Sequence, residues 1–499
     1  MSAHPAFTDV RERMGAPPAP LFHETILRSF FEFKKEHWFG PLVATHRAWA
    51  VCLHEAGMID ADDARALRGA LDALAQVGPE AAEPYEPAFE YFYLHIERFL
   101  VEQVGEQIAG QLDLGRTRPE PLTRMTLRAD ILGLAGRLVD LRATLIGLAG
   151  QELETVLPGY THCQHGQPTT LAHYLSALIS HLERDTERLL TAYARVNLCT
   201  LGCGALAGVG FPLDRGRAAE LLGFDGIVEN TYDAVASADQ KVEALAAAAN
   251  ALSVLGRVSQ DFHQWCTIEY GMAQVDAGFA SISSLMPQKR NSLVFEYVRA
   301  RAAIVAGALS TVLGIAHNTF FQDVEDICMD VEPVLTDAFD SASRAVQLFD
   351  GVCATMQFDR TRMLELAQSG FSAVSALAEA ICDEAGLSYR TSHRIVALAI
   401  QRTLEEDGDG HLSGAVIDGA ATTVIGRPLG LSPESLARSL DPVAFVRTRS
   451  VEGSASPEAV ASMLEASAGL LERDRAALEQ AEKRLSDADE RLTAALAAL

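Results

Sequence analysis

The longest uninterrupted helical pattern in the middle of the chain runs from Asp233 to Tyr270, which contains no proline and a single glycine, Gly256. At about 1.5 Å per residue, such a helix would span roughly 55 Å. Its apolar residues are not confined to one stripe, so it needs neighbours on several sides. Residues 121–157 and 292–320 form two further long helical stretches. The chain is therefore predicted to be all-α, with a central bundle of long helices shared between subunits.

Composition extends the helical prediction to most of the remaining chain. Alanine, leucine, glutamate and arginine abound, while β-branched and aromatic residues are sparse, a balance that favours helix over strand. With 499 residues, the chain exceeds what one compact core usually holds, so two or three domains are expected.

The charge balance argues against two classes of partner. The net charge of −26 repels phosphate backbones and anionic lipid, so neither nucleic-acid nor membrane partners are expected. The segment Ala302–Gln322 lacks Asp, Glu, Lys and Arg over a membrane-like length, but it contains Ser310, Thr311, His317 and Asn318. A buried helix is therefore predicted there, rather than a membrane span.

The cysteines and the N-terminus favour a cytoplasmic protein. Eight cysteines are scattered along the chain, and the close pair Cys199 and Cys203 has no second pair with which to bind zinc. Free thiols in a reducing compartment are expected. The polar, proline-rich residues 1–20 contain no apolar core typical of a signal peptide.

Polar side chains gather in Ser281-Ile-Ser-Ser-Leu-Met-Pro-Gln-Lys-Arg-Asn291, ahead of a predicted helix that contains Glu296. A structural interpretation is a loop whose Ser292 caps that helix, the commonest role of such residues. A chemical interpretation starts from the hydroxyls, amides and lysine between Ser283 and Asn291. Ahead of a helix N-terminus, these groups can hold a carboxylate and the extra negative charge that it gains in a carbanion-like transition state.

This stretch resembles the signature loop of the fumarase/aspartase superfamily, and its Met-Pro-Gln-Lys form is typical of argininosuccinate lyases. Three further segments resemble that family's motifs, in the family's order. They are Leu157-Pro-Gly-Tyr-Thr-His-Cys-Gln164, Gly202-Cys-Gly-Ala-Leu-Ala-Gly208 and Asn230-Thr-Tyr-Asp-Ala-Val235. The resemblance covers roughly residues 20–460 and identifies the chain as a divergent member of the argininosuccinate lyase family.

The resemblance implies a three-domain, all-α fold and a homotetramer around the long-helix bundle. The expected domains are an N-terminal helical domain over 1–120, a central bundle domain over 121–360 and a C-terminal helical domain over 361–499. It further implies that different subunits contribute to each active site, and that no metal or organic cofactor takes part. The implied reaction eliminates an amine from an N-succinyl (aspartate) adduct and releases fumarate.

The same resemblance assigns roles to individual residues. A base removes a proton beside a carboxylate to give an aci-carboxylate, and the C–N bond breaks as the nitrogen is protonated. The residues matched to this chemistry are Ser283 as base, Lys289 for the dianionic carboxylate, His162 for proton delivery and Glu296 as its charge partner. The residues matched to substrate binding are Asn291, Thr161, Gln164, Arg116, Thr117, Arg118 and Ser284.

Structural roles compete with several of these assignments. A lone histidine such as His162 is more often a hydrogen-bonded structural residue than a catalyst. Together with Cys163 and His165 it could touch a metal, but adjacent ligands on a turn seldom converge, so no metal site is predicted. Asp233 is expected mainly to cap its helix, and the role of Gln164 stays open.

Departures from the family's pattern cluster on the amine side of the substrate. Ile282 replaces a loop glycine, which is expected to stiffen a lid. By spacing, the glutamine and lysine that grip arginine in the family are absent, as are an amide donor, a histidine and an arginine. The residues at those positions are Cys328, Val331, Pro119, Tyr93 and Ala238. Because groups for the succinyl half remain, the predicted leaving amine is not arginine.

Three alternatives stay open. The first is an authentic argininosuccinate lyase whose contacts are rebuilt from other positions. The second is a catalytically silent structural or binding homologue, against which the intact Ser283, Lys289, Asn291 and His162 argue. The third is adenylosuccinate cleavage, for which no phosphate-binding cluster is apparent.

Overall fold

The computed structural model describes residues 16–117, 121–405 and 412–499. Helix accounts for 72% of it and strand for 5%. The all-α prediction is therefore confirmed, and the strands occur as four two-stranded pairs among the described residues.

The N-terminal helices enclose a core of their own around the fully buried Trp49 and Leu71. The Asp60 carboxylate caps the fourth helix by accepting hydrogen bonds from the backbone N–H groups of Asp62 and Asp63. A π-helical turn over His23–Leu27 joins the first two helices. These helices are α1 (Pro20–Phe22), α2 (Arg28–His37), α3 (Phe39–Glu55), α4 (Ala61–Val77), α5 (Phe92–Val104) and α6 (Glu106–Ala109).

The central region combines long helices with short strand pairs. Its elements are, in order, α7 (Leu122–Gln151), β1 (Val156–Thr161), β2 (Gln164–Thr170), α8 (Leu171–Val196), β3 (Leu198–Cys199), α9 (Arg215–Leu221), β4 (Gly226–Ile227), α10 (Thr231–Ala236), α11 (Asp239–Trp265), β5 (Ala273–Gln274), β6 (Ser281–Ile282), β7 (Arg290–Asn291), α12 (Leu293–His317), α13 (Val331–Thr355) and β8 (Gln357–Phe358). β1 pairs with β2, β5 with β8 and β6 with β7, all antiparallel, while β3 and β4 pair parallel.

The C-terminal region consists of shorter helices followed by one long helix. The elements are α14 (Arg360–Gln368), α15 (Val374–Ala385), α16 (Tyr389–Glu405), α17 (Gly414–Ile425), α18 (Pro433–Leu440), α19 (Pro442–Arg447) and α20 (Pro457–Ala497). Helices α15 to α18 share a small apolar core that includes Leu377 and Ile395.

Helices α7, α8, α11, α12 and α13 pack side by side and form the predicted bundle. Helix α20 lies along α7 and α8, where the buried Arg142 guanidinium pairs with Asp474, with Nη1 2.6 Å from Oδ2. The end of α20 reaches the N-terminal core through Leu492 and Leu496. The last helix thus ties together the N-terminal helices and the bundle, while the domain boundaries at 120 and 360 stay predictions.

The helix predicted over Asp233–Tyr270 is interrupted, which corrects its expected bounds. Between α10 and α11 the chain is extended at Ser237 and leaves the helical region at Ala238, where φ is −128°. The cap is also different from the predicted one. The side chain of Asn230, rather than Asp233, accepts the hydrogen bonds from the first backbone N–H groups of α10. Asp233 lies in the first turn, where a carboxylate favours the helix dipole.

Helix α12 packs against α11 and α13 on one side and is bare on the other. By length and composition it is apolar enough to cross a membrane, and only 17% of its most apolar window is buried within the single chain. Buried core helices pass the same test, so one such helix is weak support for a membrane span. The bare side carries Tyr297, Ile304 and Leu313, each more than half exposed.

Candidate active site

The signature loop leaves the bundle through β6 and β7, with Ser281 paired to Asn291 and Ile282 to Arg290. Inside the loop, the Ser283 hydroxyl oxygen accepts hydrogen bonds from two backbone N–H groups. These belong to Leu285, at 3.3 Å, and Met286, at 3.0 Å. Two N–H donors aimed at one oxygen stabilise negative charge on it. The sequence around Ser283 therefore folds into a turn that lowers the cost of forming a serine alkoxide.

The other predicted residues of the loop lie around that turn. The Asn291 side-chain amide donates to the Ser281 carbonyl at 3.4 Å, which holds the base of the loop together. The Lys289 side chain is exposed, and its backbone N–H donates to the Met286 carbonyl at 3.1 Å. Ser284 is exposed. The ammonium group of Lys289 is therefore open to an incoming anion.

A second group of predicted residues lies at the tip of the β1–β2 hairpin. Thr161 pairs with Gln164, and the two turn residues His162 and Cys163 have φ of 53° and 59°. Left-handed backbone at both central positions is typical of a tight two-residue hairpin turn. All four side chains are exposed, and no described hydrogen bond involves the His162 ring. The single chain therefore shows no hydrogen-bonded structural role for His162, and its catalytic role stays a prediction.

Glu296 lies in the first turn of α12, half-exposed, with Oε1 3.9 Å from Nε2 of His263. Nδ1 of the same histidine lies 3.0 Å from Nη1 of Arg299. Burial, and secondarily Arg299, lowers the pKa of His263. Within one chain His263, and not His162, is thus the histidine nearest to Glu296. The pairing of Glu296 with His162 stays a prediction that requires a second chain.

Arg116 and Thr117 line a cavity of about 350 Å³ between the N-terminal helices and residues 323–329, which is called the main cavity below because it contains both of these predicted site residues. Gly115 makes this loop possible. Its φ is +72°, and a Cβ there would lie 2.6 Å from Cγ1 of Val209. The Trp49 indole N–H donates to the Leu114 carbonyl at 3.2 Å and anchors the loop to α3. The remaining wall residues are Lys34, Trp38, Leu42, Tyr91, Phe92, Tyr93, Leu122, Asp323, Glu325, Cys328 and Met329.

The Arg116 guanidinium is held by one side chain and has donors to spare. Nη1 lies 2.8 Å from Nδ1 of the fully buried His46. Burial first, and the Arg116 charge second, lowers the pKa of His46 well below 6.5, so the neutral ring accepts the hydrogen bond. Nε and Nη2 of Arg116 are buried and have no hydrogen-bond partner. A guanidinium with two N–H donors that lack partners is suited to binding a carboxylate.

Positions 328 and 331 differ from what the family's pattern requires. The Cys328 thiol donates to Oδ1 of Asp323, with the atoms 2.9 Å apart. Burial and the neighbouring Asp323 raise the pKa of Cys328 to about 12, so the thiol remains a donor. Val331 is 1% exposed and belongs to the core of the bundle. Position 331 therefore does not face the cavity at all.

The predicted residues thus form three groups in one chain: the signature loop, the hairpin tip and the cavity wall. Among the described residues no hydrogen bond or ion pair links one group to another. Arg118 and Pro119 lie outside the described residues, so the contribution of Arg118 stays a prediction. No group of three or more His, Cys, Asp or Glu suited to a metal occurs within 16–117, 121–405 and 412–499.

Comparison with known proteins identifies the family. A family model described as Lyase matches residues 19–307, more than half of the chain. The chain belongs to this family. The lyase is 33% identical over 449 residues to the argininosuccinate lyase of Methanococcoides burtonii, which covers 89% of each chain. It is 39% identical over 419 residues to that of Methanoculleus marisnigri, which covers 83% of each.

The fold of the lyase also matches solved structures over nearly its whole length. A variant of EDDS lyase with bound fumarate has a TM-score of 0.86 and 29% identity, and the match covers 99% of this chain and 98% of the other. The resemblance to the argininosuccinate lyases within the fumarase/aspartase superfamily is thereby confirmed. The lyase is a carbon–nitrogen lyase that releases fumarate.

Proposed function

We propose that the lyase eliminates an amine other than arginine from an N-substituted aspartate, with Ser283 as the base. The observation that carries the proposal concerns positions 328 and 331, where the family's pattern places the groups that bind arginine. There the Cys328 thiol is already bound to Asp323, and Val331 is buried in the bundle. The groups that grip arginine in the family are therefore missing, and a site that loses buried polar contacts changes its substrate.

The two carboxylates of the succinyl half of the substrate have cationic partners in the chain. Nε and Nη2 of Arg116 are unpaired and lie in a fork that matches a carboxylate. His46 fixes the orientation of that fork from the buried side. The exposed ammonium of Lys289 supplies charge for the second carboxylate, where negative charge grows as the proton leaves.

In the proposed reaction, the Ser283 alkoxide removes the proton beside the carboxylate. The N–H groups of Leu285 and Met286 stabilise that alkoxide. The carbanion spreads its charge into the carboxylate as an aci-carboxylate, and the C–N bond then breaks to give fumarate. The exposed imidazole of His162 delivers a proton to the departing nitrogen, and Thr161 and Gln164 position the succinyl group. Closure of the loop excludes water and raises the basicity of Ser283.

The three groups of residues need more than one chain to meet. We propose a homotetramer in the cytoplasm, in which the bare side of α12 is covered by other subunits and each site combines segments from different chains. Exposed apolar surface on a long helix favours association. This arrangement explains why Ser283, His162 and Arg116 lie on separate parts of a single chain.

The deciding experiment measures fumarate release by its ultraviolet absorbance across N-substituted aspartates that include argininosuccinate. Another adduct is expected to react while argininosuccinate is inert, and Ser283→Ala is expected to lower kcat at least about 100-fold. Fast turnover of argininosuccinate would establish the alternative that its relatives' names suggest. Turnover that is unaffected by Ser283→Ala would exclude Ser283 as the base, and inertness towards every adduct would favour the silent homologue.

A further inference from the structure

A small side pocket opens beside the main cavity. Its volume is about 50 Å³, and it shares Thr117, Asp323 and Cys328 with the larger space, so the two are neighbours along one wall. A water molecule occupies about 30 Å³ in the liquid. The side pocket therefore has room for one small polar group at the end of a ligand that fills the main cavity.

One wall of the side pocket carries an unused hydrogen-bond acceptor. Gln240 lies in the first turn of α11 and is 6% exposed. Its Nε2 donates to the Ser237 carbonyl at 3.4 Å, while its Oε1 is buried and has no partner. The opposite amide orientation would set two acceptors against each other, so the side-chain oxygen is the free atom. A buried acceptor without a donor costs free energy unless a ligand supplies one.

Asp323 provides a second acceptor, and Cys328 holds it in place. The thiol donates to Oδ1 of Asp323, which leaves the other carboxylate oxygen without a described partner. A carboxylate and an amide oxygen side by side favour a ligand group that carries positive charge and several N–H donors. A carboxylate on the ligand would be repelled by Asp323. A hydroxyl group has one donor and would leave one of the two acceptors without a partner.

Two cationic side chains line the side pocket, and both are engaged in hydrogen bonds. Nζ of Lys241 donates to Oε1 of Glu332 at 2.6 Å and to the Ile327 carbonyl at 2.7 Å. Arg124 donates to two backbone carbonyls and lies in the field of Asp233 and Asp239. The charge of Lys241 is therefore neutralised by Glu332, while Arg124 is held by backbone carbonyls through Nη1 alone.

We infer that the side pocket binds a second, protonated nitrogen on the amine half of the substrate, with Asp323 and the Gln240 side-chain oxygen as its acceptors. The inference rests on the proposed function and narrows it to amines with two nitrogens, one of which leaves from the aspartate carbon. Cys328 is a positioning residue, which orients Asp323 and does not touch the reacting atoms. The chain thus replaces the family's grip on arginine with a smaller site for an ammonium group.

The test compares matched pairs of N-substituted aspartates whose amine halves have two to four methylene groups and end in either an ammonium or a hydroxyl. For each pair, kcat and KM for fumarate release are measured in the full-length enzyme. The wild type is expected to prefer the ammonium member at least about tenfold in kcat/KM. Asp323→Asn and Gln240→Met are expected to reduce that preference about tenfold and several-fold, respectively, mainly through KM.

Control variants distinguish a loss of ammonium binding from general damage to the enzyme. Asp326→Asn removes the same charge from an exposed neighbour that does not line either cavity, and it should leave the preference unchanged. Cys328→Ser keeps a donor to Asp323 and should retain the preference, whereas Cys328→Ala should weaken it.

The failures of the two proposals are distinguishable. Ser283-dependent fumarate release with no preference for the ammonium adducts, or with a preference that survives Asp323→Asn, would overturn the side-pocket inference and leave the proposed function standing. Fumarate release from none of the N-substituted aspartates would overturn the proposed function itself, and the inference with it.

Discussion

Arg116 depends on a histidine that must stay neutral. The pKa of His46 lies well below 6.5 in the folded protein because the ring is buried and faces the Arg116 guanidinium. In the unfolded chain the pKa returns to about 6.5, so protons bind the unfolded state more tightly. Stability is therefore fully present above pH 6.5 and is lost as the pH falls towards the lowered pKa of His46.

We expect the free energy of unfolding to fall by at most about 1.4 kcal/mol per pH unit below 6.5 on account of this one histidine. Denaturant unfolding at several pH values checks this. His46→Gln offers an amide oxygen to Arg116 but does not titrate, so its curve should be flatter over that range. Equal slopes for the wild type and His46→Gln would contradict the explanation.

Motifs predict the contiguous part of the candidate site, and the fold supplies the remainder. Ser283, Lys289 and Asn291 were found because they belong to one ordered stretch, and Arg116 because it follows a short family pattern. The partner of Arg116 lies 70 positions away in the chain. No local sequence signal marks a histidine whose role is to face an arginine from another helix.

At the scale of elements, composition predicted helices well and their breaks poorly. The break at Ser237–Ala238 contains no proline or glycine, although the Ser237-x-x-Gln240 spacing is typical of a helix N-terminus. Such a short pattern does not set a helix boundary by itself, since tertiary contacts commonly override local propensity. The break matters because it places Gln240 in a first helical turn that faces the side pocket. In a continuous helix, Gln240 would not lie in a first turn.

The signature loop carries exposed apolar side chains that closure of the loop would bury. Ile282 is 89% exposed and Leu285 is 85% exposed. We expect Ile282→Ser and Leu285→Ser to lower kcat/KM for fumarate release about tenfold, since closure of the loop buries these side chains. Thermal unfolding of the free enzyme should be almost unchanged, because exposed positions contribute little to stability.

Ile268, which is 98% exposed and lies outside the loop, provides the matched control. Ile268→Ser should alter neither kcat/KM nor the melting temperature. Loop variants that melt earlier than the wild type, with activity lost only in proportion to unfolding, would show that these side chains stabilise the resting enzyme and do not act in closure.

At the scale of the whole molecule, a single chain leaves part of its apolar surface exposed. Helix α12 is bare along the side that carries Tyr297, Ile304 and Leu313, although every other long helix of the bundle is well covered. The hairpin tip with His162 and the loop with Ser283 have no described contact with each other. A tetramer of 53.7 kDa chains that buries α12 in its centre accounts for both facts, since closed symmetric assemblies cover such surfaces completely.

Mixed tetramers of two inactive variants test whether the residues of one site come from different chains. Ser283→Ala and His162→Ala are each expected to be nearly inactive alone. If His162 and Ser283 of one site belong to different subunits, random co-assembly of equal amounts restores both residues in about a quarter of the sites. Co-expression of Ser283→Ala with the double variant cannot rebuild any site and should stay inactive. Activity that is absent from both mixtures would instead place His162 and Ser283 of each site on one chain, and the bare side of α12 would then need another explanation.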